Sequence, residues 1–212
     1  MIDKSKTVVI FDLLGVITKE GLFATKILYP LIKHKITYDL CKKKYLLYSL
    51  GMITEKEFWE HITATNLIPA LEQQILANTE IAPNITAVCC RLAEEDCDLY
   101  LASEIPQKWG DLILYKAGLD HIFRKKFYSS ELKTTKPFRK FYDRVFKSIS
   151  SESTLIYYID DTLINLKVAA LYGAKTIHLD FNKSAPANDI ASDYQVNNTL
   201  DLIDIICKTD KK

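Results

Sequence analysis

No stretch of the sequence approaches the roughly 18 consecutive apolar residues that a membrane-spanning helix needs. The apolar run near the N-terminus is short. It follows Asp3, Lys4 and Lys6 and ends at Asp12, which makes it a poor signal peptide. We therefore expect no association with a membrane, and a cytoplasmic protein.

Charge imbalance and paired cysteines are also missing. The 28 basic and 27 acidic residues leave a formal net charge of +1, so no global field attracts the protein to nucleic acid or to a membrane surface. The five cysteines are odd in number and contain no C-x-x-C spacing, which indicates neither a zinc knuckle nor a disulfide framework. A reducing compartment fits this cysteine usage.

What the sequence contains is a regular alternation of predicted strands and helices. The β-branched run Thr7–Phe11 predicts a strand buried on both faces. From Glu20 to about Ala82, apolar residues recur at helical spacing, and Thr54-x-x-Glu57 is a capping box that predicts a helix start. After Pro83, strands are predicted at Asp98–Ala102, Lys126–Tyr128, Thr154–Ile159 and Lys175–Leu179, and helices at Asn84–Ala93, Gln107–Ala117, Phe138–Ile149, Leu163–Tyr172 and Thr199–Cys207.

This order of elements predicts an α/β fold. Strands that alternate with helices favour a doubly wound, parallel, Rossmann-like sheet. The helical stretch before Pro83 interrupts that rhythm directly after the first strand. We therefore assign residues 1–16 and 86–212 to the α/β core, and residues 17–85 to a small all-helical cap domain inserted after the first strand.

Polar side chains follow the predicted strands at the edge where such sheets bind ligands. Asp12 follows the first strand, Ser103 the second and Asp160-Asp161 the Thr154 strand, while Lys136 lies just before a helix. Adjacent carboxylates repel one another unless a hard cation such as Mg²⁺ neutralises them. A carboxylate can also attack phosphorus, and a lysine and a hydroxyl can stabilise the charge on the phosphoryl oxygens.

Each of these residues also has a simpler interpretation. An Asp at a strand end is often a helix N-cap or a turn residue, and Ser103 alone could cap the following helix. Asp160-Asp161 could merely favour the dipole of the helix that follows. All of them fall in the same order at equivalent strand or loop ends, which favours one shared site.

At this point the sequence resembles the haloacid dehalogenase superfamily of hydrolases. Four segments carry the resemblance in order along the chain: Phe11–Ile17, Leu101–Glu104, Ser129–Pro137 and Tyr158–Asn165. The segment Ala169–Ala174 resembles the family's helix-to-strand turn, and Gly51–Trp59 resembles the helical cap of members with an insertion after the first motif.

The resemblance implies a magnesium-dependent reaction on a small phosphorylated metabolite. Asp12 would be the nucleophile and the first metal ligand, and the backbone carbonyl of Leu14 would be the second. Asp161 would be a further ligand, with Asp160 beside it as a ligand or as a partner of one. Mg²⁺ is the expected cofactor.

The resemblance also implies a phosphate-binding pair, formed by Ser103 and Lys136. Asn165 lies one helical turn after Asp161, so it can face the same site and orient Lys136 or a metal-bound water. Residues 17–85 would close over the site, exclude water and select the substrate.

One position departs from the family pattern. Family phosphatases usually carry a second Asp two residues after the nucleophile, which protonates the leaving oxygen and later activates water. Here that position is Leu14, and the loss of general acid–base help typically costs about 10²–10⁴ in rate. Two alternatives therefore stay open beside a slow or specialised phosphatase or phosphotransferase: a hydrolase like haloacid dehalogenase, and a non-catalytic protein that binds a phosphorylated ligand or a protein partner.

Overall fold

The computed structural model describes residues 6–60, 62–149, 155–182 and 192–208. Within these residues the chain forms a six-stranded sheet in the order β3-β2-β1-β4-β5-β6, and every neighbouring pair is parallel. The strands are β1 (Thr7–Phe11), β2 (Asp98–Ser103), β3 (Lys125–Tyr128), β4 (Leu155–Asp160), β5 (Lys175–Leu179) and β6 (Tyr194–Val196).

Ten helices accompany the sheet in the described part of the chain. Four precede β2 within the predicted insertion: α1 (Tyr29–Ile32), α2 (Tyr38–Ser49), α3 (Glu55–Trp59) and α4 (Ile68–Asn78). The other six are α5 (Ile85–Glu94), α6 (Gln107–Lys116), α7 (Ser129–Leu132), α8 (Arg139–Phe146), α9 (Leu163–Ala170) and α10 (Asp201–Lys208). Shorter helical turns occur at Leu13–Ile17, Phe23–Leu28 and Thr65–Leu67.

The central strands are buried on both faces. In β1, Val9 and Phe11 pack into one hydrophobic cluster, while Val8 and Ile10 pack into a second cluster on the opposite face. Apolar residues of α5, α6 and α10 join the first cluster, and those of α8 and α9 join the second. A near-continuous apolar strand is therefore stable here because helices cover it on either side.

The sequence-based prediction of the α/β core is confirmed. β1 and β5 have the predicted bounds, and the other predicted strands and helices after Pro83 differ from the observed ones by one to three residues at their ends. Thr154, the predicted first residue of β4, lies outside the described residues. The edge strand β6 and the one-turn helix α7 were not predicted, because segments of three and four residues are too short to show a periodicity.

The segment between β1 and α5 is helical, as predicted, and Thr54 caps α3 through the expected capping box with Glu57. The two connections of this segment to the core run side by side. Thr18 and Ile81 form an antiparallel bridge, the backbone N–H of Ala82 donates to the carbonyl of Ile17 at 2.9 Å, and Lys19 N–H donates to the carbonyl of Glu80 at 3.0 Å.

An aromatic cluster joins this helical segment to the core. Trp109 of α6 contacts rings of the segment, with centroid separations of 5.3–6.4 Å; these rings belong to Phe23, Tyr45, Tyr48, Phe58 and Trp59. Glu72 of α4 accepts a hydrogen bond from Trp109 Nε1 at 3.0 Å. Among the described residues, no helix is both long and apolar enough to cross a membrane.

Candidate active site

The candidate site lies where the order of the strands reverses. β1 sits between β2 and β4, and the connections from these central strands lead to opposite halves of the sheet. Ligands of doubly wound sheets bind beyond the carboxyl ends of the strands at this point. The backbone N–H of Asp12 donates to the carbonyl of Ile159 at 2.9 Å, which places Asp12 beside the end of β4 and next to Asp160.

Asp12 is held at both carboxylate oxygens. The residue is 6% exposed; Oδ1 accepts a hydrogen bond from the backbone N–H of Leu13 at 2.6 Å, and Oδ2 lies 2.8 Å from Lys136 Nζ. The bond to Leu13 is the turn contact that an Asp at a strand end often makes. Because the ion pair with Lys136 is also present, the turn role alone does not account for Asp12.

Lys136 connects the ends of β1 and β4. Its buried ammonium group lies 2.8 Å from Asp12 Oδ2 and donates to Asp160 Oδ2 at 2.7 Å. Burial alone would lower the pKa of Lys136, but the charges of Asp12 and Asp160 hold that pKa well above its usual value. Lys136 is therefore a fixed positive charge between two carboxylates.

The neighbouring helix fixes the second of these carboxylates. Asp160 Oδ1 accepts hydrogen bonds from the backbone N–H of Thr162 at 2.9 Å and from Asn165 Nδ2 at 3.0 Å. Asn165 therefore lies beside the carboxylate of Asp160. It contacts Asp160 rather than Lys136, so it positions Lys136 only through that carboxylate.

Asp161 lies against the loop that follows β1. Its Oδ1 accepts a hydrogen bond from Thr162 Oγ1 at 3.0 Å. Gly15 has a φ of +77°, and a Cβ at Gly15 or at Gly21 would overlap Asp161 Oδ2. Glycine at these two positions is thus what allows the carboxylate of Asp161 to approach the end of β1.

The three carboxylates form a candidate metal centre. One oxygen from each of Asp12, Asp160 and Asp161 lies within 4.8 Å of the others. Burial and the neighbouring carboxylates raise the pKa of Asp12 to about 8 against the lowering effect of Lys136, and burial and Asp160 raise that of Asp161 to about 6. The single ammonium group of Lys136 does not balance three carboxylates, so the oxygen-rich donor set fits a divalent cation such as Mg²⁺.

Ser103 supplies a buried hydroxyl at the end of β2. In the part of the chain that the structure describes, its Oγ has no hydrogen-bond partner. The alternative interpretation of Ser103 as a helix cap is wrong, because the N–H of Gln107 at the start of α6 donates to Ser130 Oγ at 3.0 Å instead. An unpaired buried hydroxyl is costly unless a ligand completes its bonding.

Leu14 brings no acid–base group to this site. Its side chain is buried in the hydrophobic cluster shared with Val9 and Phe11, while its backbone leaves the helical conformation with φ −80° and ψ 126°. The position two residues after Asp12 therefore supplies no group that could transfer a proton.

Two residues of the site region were missed in the sequence. His178 Nε2 lies 3.0 Å from the backbone carbonyl of Asp161, and the register of β4 with β5 pairs His178 with Asp160. His178 could have been found from the sequence, because it lies near the carboxyl end of the predicted strand Lys175–Leu179, and parallel strands share that edge of the sheet. Glu104, directly after Ser103, is half-buried beside Thr135 and is the second residue that was missed.

The fold and the site define a doubly wound α/β protein with a carboxylate cluster at the switch point of its sheet. The sequence model of haloacid dehalogenase-like hydrolases matches residues 9–179, and the chain belongs to this family. No curated protein matches the sequence at a significant level.

Solved structures share the fold at low sequence identity. A phosphatase from Thermococcus onnurineus superimposes with a TM-score of 0.68 and 16% identity, covering 94% of this chain and 97% of that one. The protein YfnB from Bacillus subtilis, solved bound to magnesium, gives 0.65 and 19% over 96% and 99% of the two chains. L-2-haloacid dehalogenase from Xanthobacter autotrophicus, with chloropropionic acid covalently bound, gives 0.64 and 12% over 95% and 98%.

Proposed function

We propose that the protein is a Mg²⁺-dependent phosphatase or phosphotransferase that acts on a small phosphorylated metabolite through an aspartyl-phosphate on Asp12. The observation that carries this proposal is the arrangement in which Lys136 bridges Asp12 and Asp160 while Asp161 adds a third carboxylate. Family membership and the similarity to a phosphatase fold support it.

Asp12, Asp161 and the backbone carbonyl of Leu14 would hold the ion. Both oxygens of Asp160 already accept hydrogen bonds from Lys136, Thr162 and Asn165. Asp160 therefore serves better as a positioning residue than as a principal ligand. Bound Mg²⁺ would neutralise the carboxylates and the charge of the substrate phosphate.

The chain's own residues account for the transfer of the phosphoryl group. A carboxylate oxygen of Asp12 attacks phosphorus, and the bond between phosphorus and the leaving oxygen breaks. Lys136 and the hydroxyl of Ser103 stabilise the charge on the phosphoryl oxygens. Water then attacks the aspartyl-phosphate, which releases phosphate and regenerates Asp12.

The helical segment would cover this site. We assign residues 17–85 to a cap domain, and residues 1–16 and 86–212 to the core. Tyr45 of α2 supports this assignment, because its hydroxyl donates to the backbone carbonyl of Glu104 at 3.3 Å, one residue beyond Ser103. A cap in this position would exclude water and select the substrate.

The first prediction concerns the metal. In a screen of phosphorylated metabolites, we expect phosphate release that requires Mg²⁺ and disappears with a chelator. Mg²⁺ should also raise the melting temperature of the wild-type protein, because a ligand that binds only the folded state stabilises it. Asp161→Asn should lose both effects, because it removes a proposed ligand.

Asp120→Asn is the matched control, since Asp120 is exposed and precedes β3, whereas the carboxylate cluster follows the opposite, carboxyl ends of the strands. It should retain the phosphate release and the thermal shift of the wild type. Phosphate release that is indifferent to Mg²⁺ would contradict the proposed metal site.

A hydrolase like haloacid dehalogenase is the second candidate. Leu14 favours it, because that branch also lacks the second Asp, and one solved structure of similar fold carries covalently bound chloropropionic acid. The retained pair Asp160-Asp161 argues against it, as does the absence of arginine from residues 17–85. Halide release from haloacids, without phosphate release from any phosphorylated substrate, would favour this candidate instead.

The second prediction separates a catalytic from a non-catalytic protein. Leu14→Asp should raise the rate of alkyl phosphate hydrolysis by about tenfold or more, because it adds a carboxyl group at the position of the first motif where family phosphatases carry their acid–base Asp. Leu14→Asn is the control: it has the same size and polarity as Asp but transfers no proton, so it should give no gain. No gain in Leu14→Asp, together with no binding of Mg²⁺, would indicate a non-catalytic protein.

A further inference from the structure

Glu104 lies beside residues of the candidate site and has no role in the mechanism described above. It follows Ser103 at the carboxyl end of β2 and is half-buried. Its Oε1 accepts a hydrogen bond from Thr135 Oγ1, and Thr135 directly precedes Lys136. Tyr45 of the helical segment donates to the Glu104 backbone carbonyl at 3.3 Å. Glu104 therefore lies between Thr135, which precedes Lys136, and Tyr45 of the helical segment.

The charged groups around Glu104 are those of the site. Burial raises the pKa of Glu104 to about 7; Lys136 lowers it, and Asp160 and Asp161 raise it further. Burial raises the pKa of the Tyr45 phenol well above its usual value, and the charges of Glu104 and Asp12 raise it further. Near neutral pH, Glu104 thus exists in both its protonated and its ionised form.

We infer that Glu104 is the general acid and base of the reaction, in place of the residue that Leu14 has replaced. The inference rests on the proposed phosphatase function and adds a catalytic group to it. Its basis is the position of a carboxyl group beside Ser103 and Thr135–Lys136, in a site where the residue two positions after Asp12 transfers no proton.

The proton balance of both steps is complete with this residue. In the first step, Asp12 bonds to phosphorus, the bond to the leaving oxygen breaks, and the Glu104 carboxyl proton moves to that oxygen, which leaves as an alcohol. In the second step, the Glu104 carboxylate takes a proton from water while the water oxygen bonds to phosphorus and the bond to Asp12 breaks. Phosphate departs, and Glu104 is protonated again.

A purely structural role for Glu104 makes a different prediction. If Glu104 only braces the loop before Lys136, then an acceptor that keeps the bond from Thr135 suffices. Glu104→Gln offers such an acceptor, since its amide oxygen can receive the Thr135 hydroxyl, but the amide transfers no proton. Thr135→Val removes the brace and leaves the carboxyl group in place.

The test compares two classes of substrate in the full-length protein with Mg²⁺. Glu104→Gln should reduce kcat for an alkyl phosphate by roughly 10²–10⁴-fold, the range for general acid–base catalysis. With p-nitrophenyl phosphate, whose leaving group needs no proton, the rate of the p-nitrophenol burst should fall much less. This burst reports only the step that forms the aspartyl-phosphate. Glu94→Gln, an exposed glutamate on α5, is the matched control and should behave like the wild type.

Two further measurements distinguish proton transfer from bracing. The wild-type rate with the alkyl phosphate should fall as pH rises through about 7, because the acid form of Glu104 is lost, and this limb should be absent in Glu104→Gln. Adding Leu14→Asp to Glu104→Gln should restore most of the lost rate, since it supplies a carboxyl group from the first motif. Thr135→Val should keep the pH limb.

The outcomes separate this inference from the proposed function. If Asp12-dependent phosphate release persists but Glu104→Gln leaves the alkyl phosphate rate and the pH limb unchanged, the role of Glu104 is wrong and the phosphatase proposal stands. Equal losses in the alkyl phosphate rate and in the rate of the p-nitrophenol burst, in both Glu104→Gln and Thr135→Val, would show a brace and also overturn the role. If wild type and Asp12→Asn release phosphate equally, the proposed function and this inference fail together.

Discussion

Asp12→Asn is expected to reduce the rate of phosphate release by roughly 10³-fold or more, because an amide does not replace a carboxylate as the nucleophile. The fold should persist: the amide oxygen can still accept the hydrogen bond from Leu13 N–H that Asp12 Oδ1 accepts now. The measurement is twofold. Steady-state phosphate release gives the loss of rate, and mass spectrometry of rapidly quenched protein detects the phosphoryl group on the peptide that contains residue 12.

Ser5→Ala provides a control on a neighbouring stretch of sequence without a proposed role, and it should form the phosphoryl-enzyme like the wild type. Activity that survives Asp12→Asn would remove Asp12 from its role as nucleophile. A phosphorylated peptide elsewhere in the chain would reassign that role.

Lys136→Met should have the second large effect, on both folding and activity. It removes the ammonium group between Asp12 and Asp160 and leaves two buried carboxylates facing each other. Breaking a buried ion pair in this way typically costs about 3–5 kcal/mol of stability, since the remaining charge is uncompensated. We expect a lower free energy of unfolding in urea, and no detectable phosphate release even in the fraction that folds.

Lys19→Met is the contrasting variant. Lys19 pairs with Glu80 at 3.3 Å on the surface, where both side chains are at least half exposed, so its stability should stay within error of the wild type. If Lys136→Met were as stable as Lys19→Met, then Lys136 would not be the group that neutralises the paired carboxylates.

Much of the fold could be predicted from the sequence because its core strands are buried on both faces. Such strands read as apolar runs, as in Thr7–Phe11, and their order with helices defines a parallel sheet. Asp12, Ser103 and Asp160 could be located for the same reason, since the carboxyl ends of these strands share one edge of the sheet. The position of each residue thus followed from topology.

The partners of these residues could not be predicted in the same way. Asn165 was expected to orient Lys136 or a metal-bound water, but its amide donates to Asp160. That choice depends on the angle between α9 and β4, which sequence spacing does not determine. The contact of His178 with Asp161 depends likewise on the register between β4 and β5.

The packing of the helical segment was the least predictable part. Helical spacing indicated that residues between Glu20 and Ala82 form helices. It did not indicate which element of the core these helices pack against. Trp109 belongs to α6 of the core, yet its ring packs among rings of α2, α3 and Phe23. This packing depends on contacts between residues far apart in sequence, to which local periodicity is insensitive.

The aromatic cluster gives the protein an internal optical reporter. The sequence contains two tryptophans, Trp59 in the helical segment and Trp109 in the core, and their ring centroids are 6.0 Å apart. Each ring therefore senses the opposite side of the same junction. A change in the distance between the helical segment and the core would alter the surroundings of both chromophores at once. The ultraviolet emission of the unlabelled protein would therefore report such a change without any added dye.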